Sequence, residues 1–153
     1  MLRFKILASA VPLILAVVFA GGELLPGPRP CIEAGGSSLQ IAVAPWHADL
    51  HVAFTDDPRA ATVRVQIVEN VETADFVVID DADSLEPNTC AAAPRLVAIS
   101  ANPSPSQPII YLSTDGGADY RIFVRSKSFS QREAAALIVG ANAGHARIAA
   151  ASL

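Results

Sequence analysis

Hydrophobic and polar residues alternate in several short segments after residue 38, and this pattern predicts half-buried β-strands. The clearest segment is Val63–Ile67, and residues 39–43 and 50–54 follow the same rule. Residues 76–79 and 96–99 are continuous apolar runs, which are typical of central strands buried on both faces. Residues 109–112 and 120–124 flank a polar segment with an Asp115-Gly116 pair, which predicts a β-hairpin.

One helix is predicted near the C-terminus. Ser130 and Glu133 have the spacing of a capping box, and Phe129 stands before the cap, where a hydrophobic staple begins. An apolar stripe follows from Ala134, and Gly144 is the predicted end of the helix.

These elements predict an α+β fold in which a mixed or antiparallel sheet of six to seven strands carries one packed C-terminal helix. The alternative α/β fold needs a helix between parallel strands, and residues 69–75 leave room for one helical turn. We place the single domain at residues 39–153. Residues 21–38 are rich in proline and glycine, and we expect a linker without helix or strand there.

Three of the predicted strands begin after the same residue pair. The pairs are Ala48-Asp49, Ala74-Asp75 and Ala118-Asp119. Their intervals of 26 and 44 residues argue against a periodic repeat. We interpret each Asp as an acceptor for amide groups of the turn before its strand.

The composition of the N-terminal segment predicts where in the cell the protein is located. The chain is 52% hydrophobic, but the apolar residues are concentrated in residues 1–20, where Arg3 and Lys5 precede an apolar stretch and Ala20 completes a cleavage motif. This is the layout of a signal peptide, and an uncleaved N-terminal anchor is the alternative. Either way we expect the domain in the periplasm or outside the cell, or anchored at the inner membrane.

The charge distribution narrows the class of partner. All 15 acidic residues and nine of the 11 basic residues lie after residue 20, so the domain carries a net charge of −6. This charge argues against a nucleic-acid-binding protein. We expect a protein or another component of the cell envelope as partner, with membrane contact only through an uncleaved N-terminal segment.

The chain has two cysteines, Cys31 and Cys90. An even number of cysteines in an exported domain predicts one disulfide.

Trp46, His47, Asp49 and His51 form the most suggestive polar stretch. On a regular strand His47, Asp49 and His51 share one face, and two imidazoles with one carboxylate can bind a divalent metal such as zinc. The alternative is a polar outer face of the strand, with Trp46 at the edge of the sheet.

Arg121, Phe123 and Arg125 share one face of a predicted strand and form a basic cluster in an acidic chain. They suit an anionic partner, and the alternative is a solvated sheet edge. Asp80, Asp81, Asp83 and Glu86 form an acidic run, which we interpret as a solvated loop, with a calcium-binding loop as the alternative. No nucleophile or metalloprotease motif occurs, so binding is our first hypothesis, with Trp46 and the basic cluster as binding residues. Metal binding is the second, and a small hydrolase is the third.

Residues 41–81 and 108–140 resemble small exported proteins of Gram-negative bacteria that have no assigned function. The chain is rich in alanine and prefers arginine to lysine, as in proteins from high-GC genomes. The resemblance implies export and a compact domain, and it transfers no catalytic residue.

Overall fold

The computed structural model describes residues 29–80, 90 and 93–150, the last seven of them as backbone only. The predicted signal peptide lies outside the described residues. The elements are β1 (Cys31–Ala34), β2 (Ser37–Ile41), a 3₁₀ turn (Pro45–His47), β3 (Leu50–Phe54), β4 (Val63–Ile67), a second 3₁₀ turn (Val71–Thr73), β5 (Phe76–Ile79), β6 (Arg95–Ser100), β7 (Ile109–Ser113), β8 (Tyr120–Arg125) and α1 (Gln131–Ala150).

The strands form one eight-stranded mixed sheet in the order β1-β2-β6-β3-β7-β4-β8-β5. Only β1 and β2 are antiparallel, and the other six pairs are parallel. The predicted α+β class with a mixed sheet is confirmed, but six to seven strands was too few. The uncounted strand, β1, lies in the predicted linker, where Gly35 and Gly36 form the turn to β2 at φ of 60° and 75°.

The sheet is built from two interleaved series of strands. The first series is β2, β3, β4 and β5, and the strands of the second series, β6, β7 and β8, fill the three gaps between them. The predicted hairpin is therefore wrong, because β7 and β8 lie parallel with β4 between them. The Asp115-Gly116 pair belongs instead to a connection, residues 114–119, that passes from one side of β4 to the other.

Successive strands of the first series are shifted along the strand direction by a constant amount, and this shift allows parallel strands to be joined by short connections. Ile41 at the end of β2 and Leu50 at the start of β3 both pair with Val97. In the same way, Ile67 and Phe76 both pair with Ile122. Each strand of the first series begins opposite the residue where the previous strand of that series ends. The connection therefore only has to cross the strand between them and does not have to run back along its length. This is why no crossover helix is needed.

The first series has a regular period that the sequence analysis missed. Its strands start at residues 37, 50, 63 and 76, which are 13 residues apart. The interval of 26 residues between Ala48-Asp49 and Ala74-Asp75 is two periods, and Ala61-Thr62 occupies the intermediate position. Our conclusion that the motif is not periodic was wrong for this half of the chain, because Thr62 replaces the aspartate.

The sheet curls around α1. Every side chain from Ala134 to Val139 on the helix is buried, and so is Ala141. The helix contacts β1, β2, β3, β4, β6 and β8. A helix that is apolar on all sides requires such complete burial. The inner faces of the strands complete the core with Leu39, Val52, Val65, Val97, Ile110 and Ile122.

The ends of α1 agree in part with the sequence analysis. The capping box is confirmed: Ser130 Oγ accepts from Glu133 N at 3.2 Å, and Glu133 Oε2 accepts from Ser130 N at 2.8 Å. The helix continues through Gly144, which was the predicted end. Among the described helices, none is long and apolar enough to cross a membrane.

The two edge strands, β1 and β5, line opposite sides of a slot of about 250 Å³. We predicted residues 76–79 as a central strand buried on both faces, and this was wrong. Strand β5 is an edge strand whose inner residues face α1, while Val77 and Ile79 are each 46% exposed on its outer face.

Candidate functional site

One hydrogen-bond arrangement occurs at the start of three strands. Asp49 N donates to Leu96 O at 2.8 Å, and the Asp49 carboxylate accepts from Leu96 N at 2.7 Å. Asp75 makes both bonds with Arg121, and Asp119 makes both with Arg64. We refer to these pairs as the aspartate clamps.

The clamps give a structural role to the repeated Ala-Asp motif. The interpretation of each Asp as a backbone acceptor is correct, although the amide belongs to the neighbouring strand and not to the turn. Thr62 makes the equivalent pair of bonds with Ile109, both at 2.9 Å. The clamps hold different strand pairs, so they do not form a shared carboxylate site.

The predicted metal ligands do not share a strand face. His47 lies in the 3₁₀ turn, β3 begins only at Leu50, and the Asp49 carboxylate is bonded to Leu96 N. His51 Nε2 donates to Pro45 O at 3.0 Å. In the ranges the structure describes, no three His, Cys, Asp or Glu side chains are grouped to hold a metal ion. The shared strand face on which this site depended therefore does not form, because the chain turns at Pro45–His47 before β3 begins.

Trp46 is 79% exposed on the same 3₁₀ turn. Its ring stands edge-on to His47, with 6.0 Å between the ring centroids. The expectation that it packs at a sheet edge was wrong, because Pro45–His47 lies in the connection that crosses β6 between β2 and β3.

The structure forms a pocket of about 740 Å³ at the amino-terminal ends of β3, β4, β6 and β8, beside the second half of α1. We call it the mouth pocket. Asp49 and His51 line it, together with Arg95, Tyr120 and Asn142, which the sequence analysis did not select. No local pattern marked these residues, because Arg95 and Tyr120 are only the first residues of apolar strands and Asn142 lies within a helix.

The basic cluster on β8 has the predicted alternation. Arg121, Phe123 and Arg125 point outwards, and Ile122 between them is fully buried. Arg121 Nε lies 3.5 Å from the Asp75 carboxylate, and the Arg125 guanidinium lies 6.0 Å from the Phe123 ring centroid.

Strand β5 extends this cluster with apolar side chains. Val77 pairs in register with Phe123, and Ile79 pairs with Arg125. These five outward-facing residues of β5 and β8 form one surface, which we call the outer strip: Val77, Ile79, Arg121, Phe123 and Arg125. Only its three β8 members could be predicted from the sequence, because no local pattern identifies β5 as the neighbour of β8.

Asp80 has a positioning role at the end of β5. Its carboxylate accepts from Ser126 Oγ at 2.5 Å, from Ser128 N at 3.0 Å and from Lys127 N. These hydrogen bonds, that from Ser126 above all, hold the pKa of Asp80 below its usual value. Asp80 thus fixes the loop that leads from β8 into α1. Asp81, Asp83 and Glu86 lie outside the described residues.

The predicted disulfide is confirmed. Cys31 on β1 is bonded to Cys90, with 5.7 Å between their Cα atoms. Beside it, Gln40 Nε2 donates to Arg29 O at 2.9 Å. The bond ties the edge strand β1 to the chain that leads into β6.

The mouth pocket and the outer strip are thus the two candidate sites that the described residues form. In a comparison with family models, curated proteins and solved structures, nothing matches this chain.

Proposed function

We propose that this chain is a small exported domain that acts by binding, and that its outer strip docks an extended, acidic segment of a partner protein. The observation that carries the proposal is the pair of exposed apolar residues, Val77 and Ile79, on an edge strand beside two arginines. The expected partner is a protein and not a membrane surface.

The edge of β5 supplies the backbone part of the interaction. Strand β5 pairs with β8 on one side, and its other side borders the slot shared with β1, where no described strand pairs with it. Such edges accept an added strand through main-chain hydrogen bonds. Proteins commonly protect them with lysine or proline, and the four residues of β5 include neither.

Charge supplies the preference for an acidic segment. Arg125 is exposed and forms no ion pair with any residue in the described ranges, and the exposed Lys127 follows it closely. The domain as a whole is acidic, so the outer strip is a local positive surface. Complementary charge increases association rates and selects against basic partners.

Export is supported by the disulfide, because disulfides persist in oxidising compartments outside the cytoplasm. The N-terminal sequence of the protein purified from the periplasm tests this part. We expect it to begin at Gly21. A protein that retains Met1 and remains in the cytoplasm would contradict export.

The docking surface can be tested with two labelled peptides, one of alternating Val and Glu and one of alternating Val and Lys. Fluorescence anisotropy should show binding of the Val/Glu peptide only. Arg125→Glu and Ile79→Lys should each weaken that binding about tenfold, which corresponds to about 1.4 kcal/mol. Arg59→Glu makes the same charge change on an exposed loop residue and should leave binding unchanged.

Equal binding of both peptides, or equal effects of Arg125→Glu and Arg59→Glu, would overturn the proposal. Vesicles containing phosphatidylglycerol provide a second arm. If they bind through Arg125 while the Val/Glu peptide does not, the outer strip is a membrane surface and the protein-partner proposal is wrong.

A further inference from the structure

The mouth pocket exists because the strands around α1 start at different levels. Leu50 pairs with Val97 near the middle of β6, whereas Arg95 begins β6 two residues earlier. The staggered strand ends leave a space beside α1, between Leu50, Val63 and Val139. Its volume of about 740 Å³ is in the range of small-molecule sites, which is about 300–1,000 Å³.

The wall of the pocket is partly apolar and contains one arginine. Arg95 is two residues before the buried Val97, so it points to the same inner face of β6. It forms no ion pair with any carboxylate in the described ranges. A guanidinium on the inner side of a sheet is stabilised by an anion that can accept two parallel hydrogen bonds.

Among the described residues that line the pocket, Asp49 has the only carboxylate, and this group already has a partner. Its Oδ2 accepts from Leu96 N at 2.7 Å in the aspartate clamp. The positive charge of Arg95 is therefore not neutralised by direct contact within the described pocket. Tyr120 and Asn142 provide further polar groups in the same wall.

We infer that the mouth pocket binds a small amphiphilic carboxylate, whose carboxylate pairs with Arg95 and whose apolar chain lies against Leu50, Val63 and Val139. This site is separate from the outer strip, and it gives the domain a small-molecule ligand in addition to a protein partner. The Arg95 contact sets the selectivity for an anion over a neutral molecule of the same length.

Isothermal titration calorimetry with sodium decanoate, below its micelle concentration, tests the site. We expect one decanoate bound per chain, and binding of decanol at least tenfold weaker. Arg95→Gln should reduce decanoate affinity at least tenfold, and Arg95→Lys should restore part of it, because lysine keeps the charge but not the bidentate geometry. Arg59→Gln is the matched control, because Arg59 is exposed and lies outside both the mouth pocket and the outer strip, and it should bind decanoate normally.

A second variant keeps the inference testable if Arg95→Gln does not fold. Ala143→Phe adds a ring to the wall of the pocket on α1 and should block decanoate while leaving Arg95 in place. Equal affinity for decanoate and decanol, unchanged binding by Arg95→Gln, or no saturable binding would each overturn the inference. Peptide binding by the outer strip does not depend on Arg95, so the two proposals fail independently.

Discussion

At the scale of single residues, the aspartate clamps show how a short side chain can align two parallel strands. Each clamp joins the residue before one strand to the start of a neighbouring strand through an amide donor and a carboxylate acceptor. The donor and acceptor lie 2.7–2.8 Å apart in every bond of the three clamps. The clamp therefore acts where the ladder of backbone hydrogen bonds has not yet begun.

Asp119→Ala tests a clamp without removing an ion pair. We expect the free energy of unfolding to fall by about 1 kcal/mol, because Arg64 N loses its acceptor. Asp119→Asn keeps an oxygen acceptor and should lose less. Urea denaturation measures both, with Asp115→Ala, an exposed residue in the same connection, as the control. Equal effects of Asp115→Ala and Asp119→Ala would contradict the role of the clamp.

Asp80 predicts a pH dependence of stability. The pKa of Asp80 is lowered from its ordinary value of 3.8, first by the hydrogen bond from Ser126. A carboxyl with a lower pKa in the folded state contributes stability that is complete above the unfolded-state pKa and is lost as the pH falls through the folded-state pKa. As the pH falls from about 5 through the folded-state pKa of Asp80, wild type should therefore lose more stability than Asp80→Asn.

Urea denaturation at a series of pH values measures this difference. At pH 7, Asp80→Asn should be less stable than wild type, and the two should converge in acid. The control, Asp115→Asn, should show the same pH dependence of the free energy of unfolding as wild type. If the free energy of unfolding of Asp80→Asn depended on pH as steeply as that of wild type, Asp80 would not contribute to the loss of stability in acid.

At the scale of elements, the helix α1 and strand β6 approach closely at Gly140. A Cβ atom at Gly140 would lie 3.0 Å from Val97 Cγ2 and 3.5 Å from Val97 Cγ1. Val97 is fully buried and β-branched, so its side chain has little freedom to move away. The absence of a side chain at Gly140 therefore allows the helix to lie directly against β6.

We expect Gly140→Ala to destabilise the domain by about 1 kcal/mol, because overpacking outweighs the gain in helix propensity. In a Val97→Ala background the same change should stabilise, because the Cγ atoms are gone. Thermal or urea denaturation of wild type, the two single variants and the double variant completes the double-mutant cycle. The same effect in both backgrounds would show that the contact does not limit packing.

The positions of most elements along the chain could be predicted from the sequence, but which strands lie next to each other in the sheet could not. The alternation in Val63–Ile67 and the capping box at Ser130 are local signals, and both elements occur where they were expected. The position of residues 76–79 at an edge could not be predicted, because the same apolar run suits a buried central strand. Arg95 and Asn142 line the same pocket because the sheet curls around α1, and no local sequence pattern indicates this curl.

At the scale of the whole molecule, the disulfide connects the two halves of the chain across 59 residues of sequence. In the chain-entropy model, closing a loop of this length stabilises the folded state by about 4 kcal/mol. Cys31→Ser combined with Cys90→Ser should lose stability of this order in urea denaturation. Reduced wild type should match the double variant. A denaturation midpoint unchanged by either treatment would contradict the stabilising role of the bond.

The interleaved topology also determines when the domain can fold. Strands β2, β3, β4 and β5 have no pairings with one another, since each gap between them is filled by a strand from the second half of the chain. While a ribosome has produced only the first half, the β1–β2 hairpin is the one paired unit of the described sheet that can form. The described sheet therefore cannot assemble beyond the β1–β2 hairpin until β6, β7 and β8 have been made.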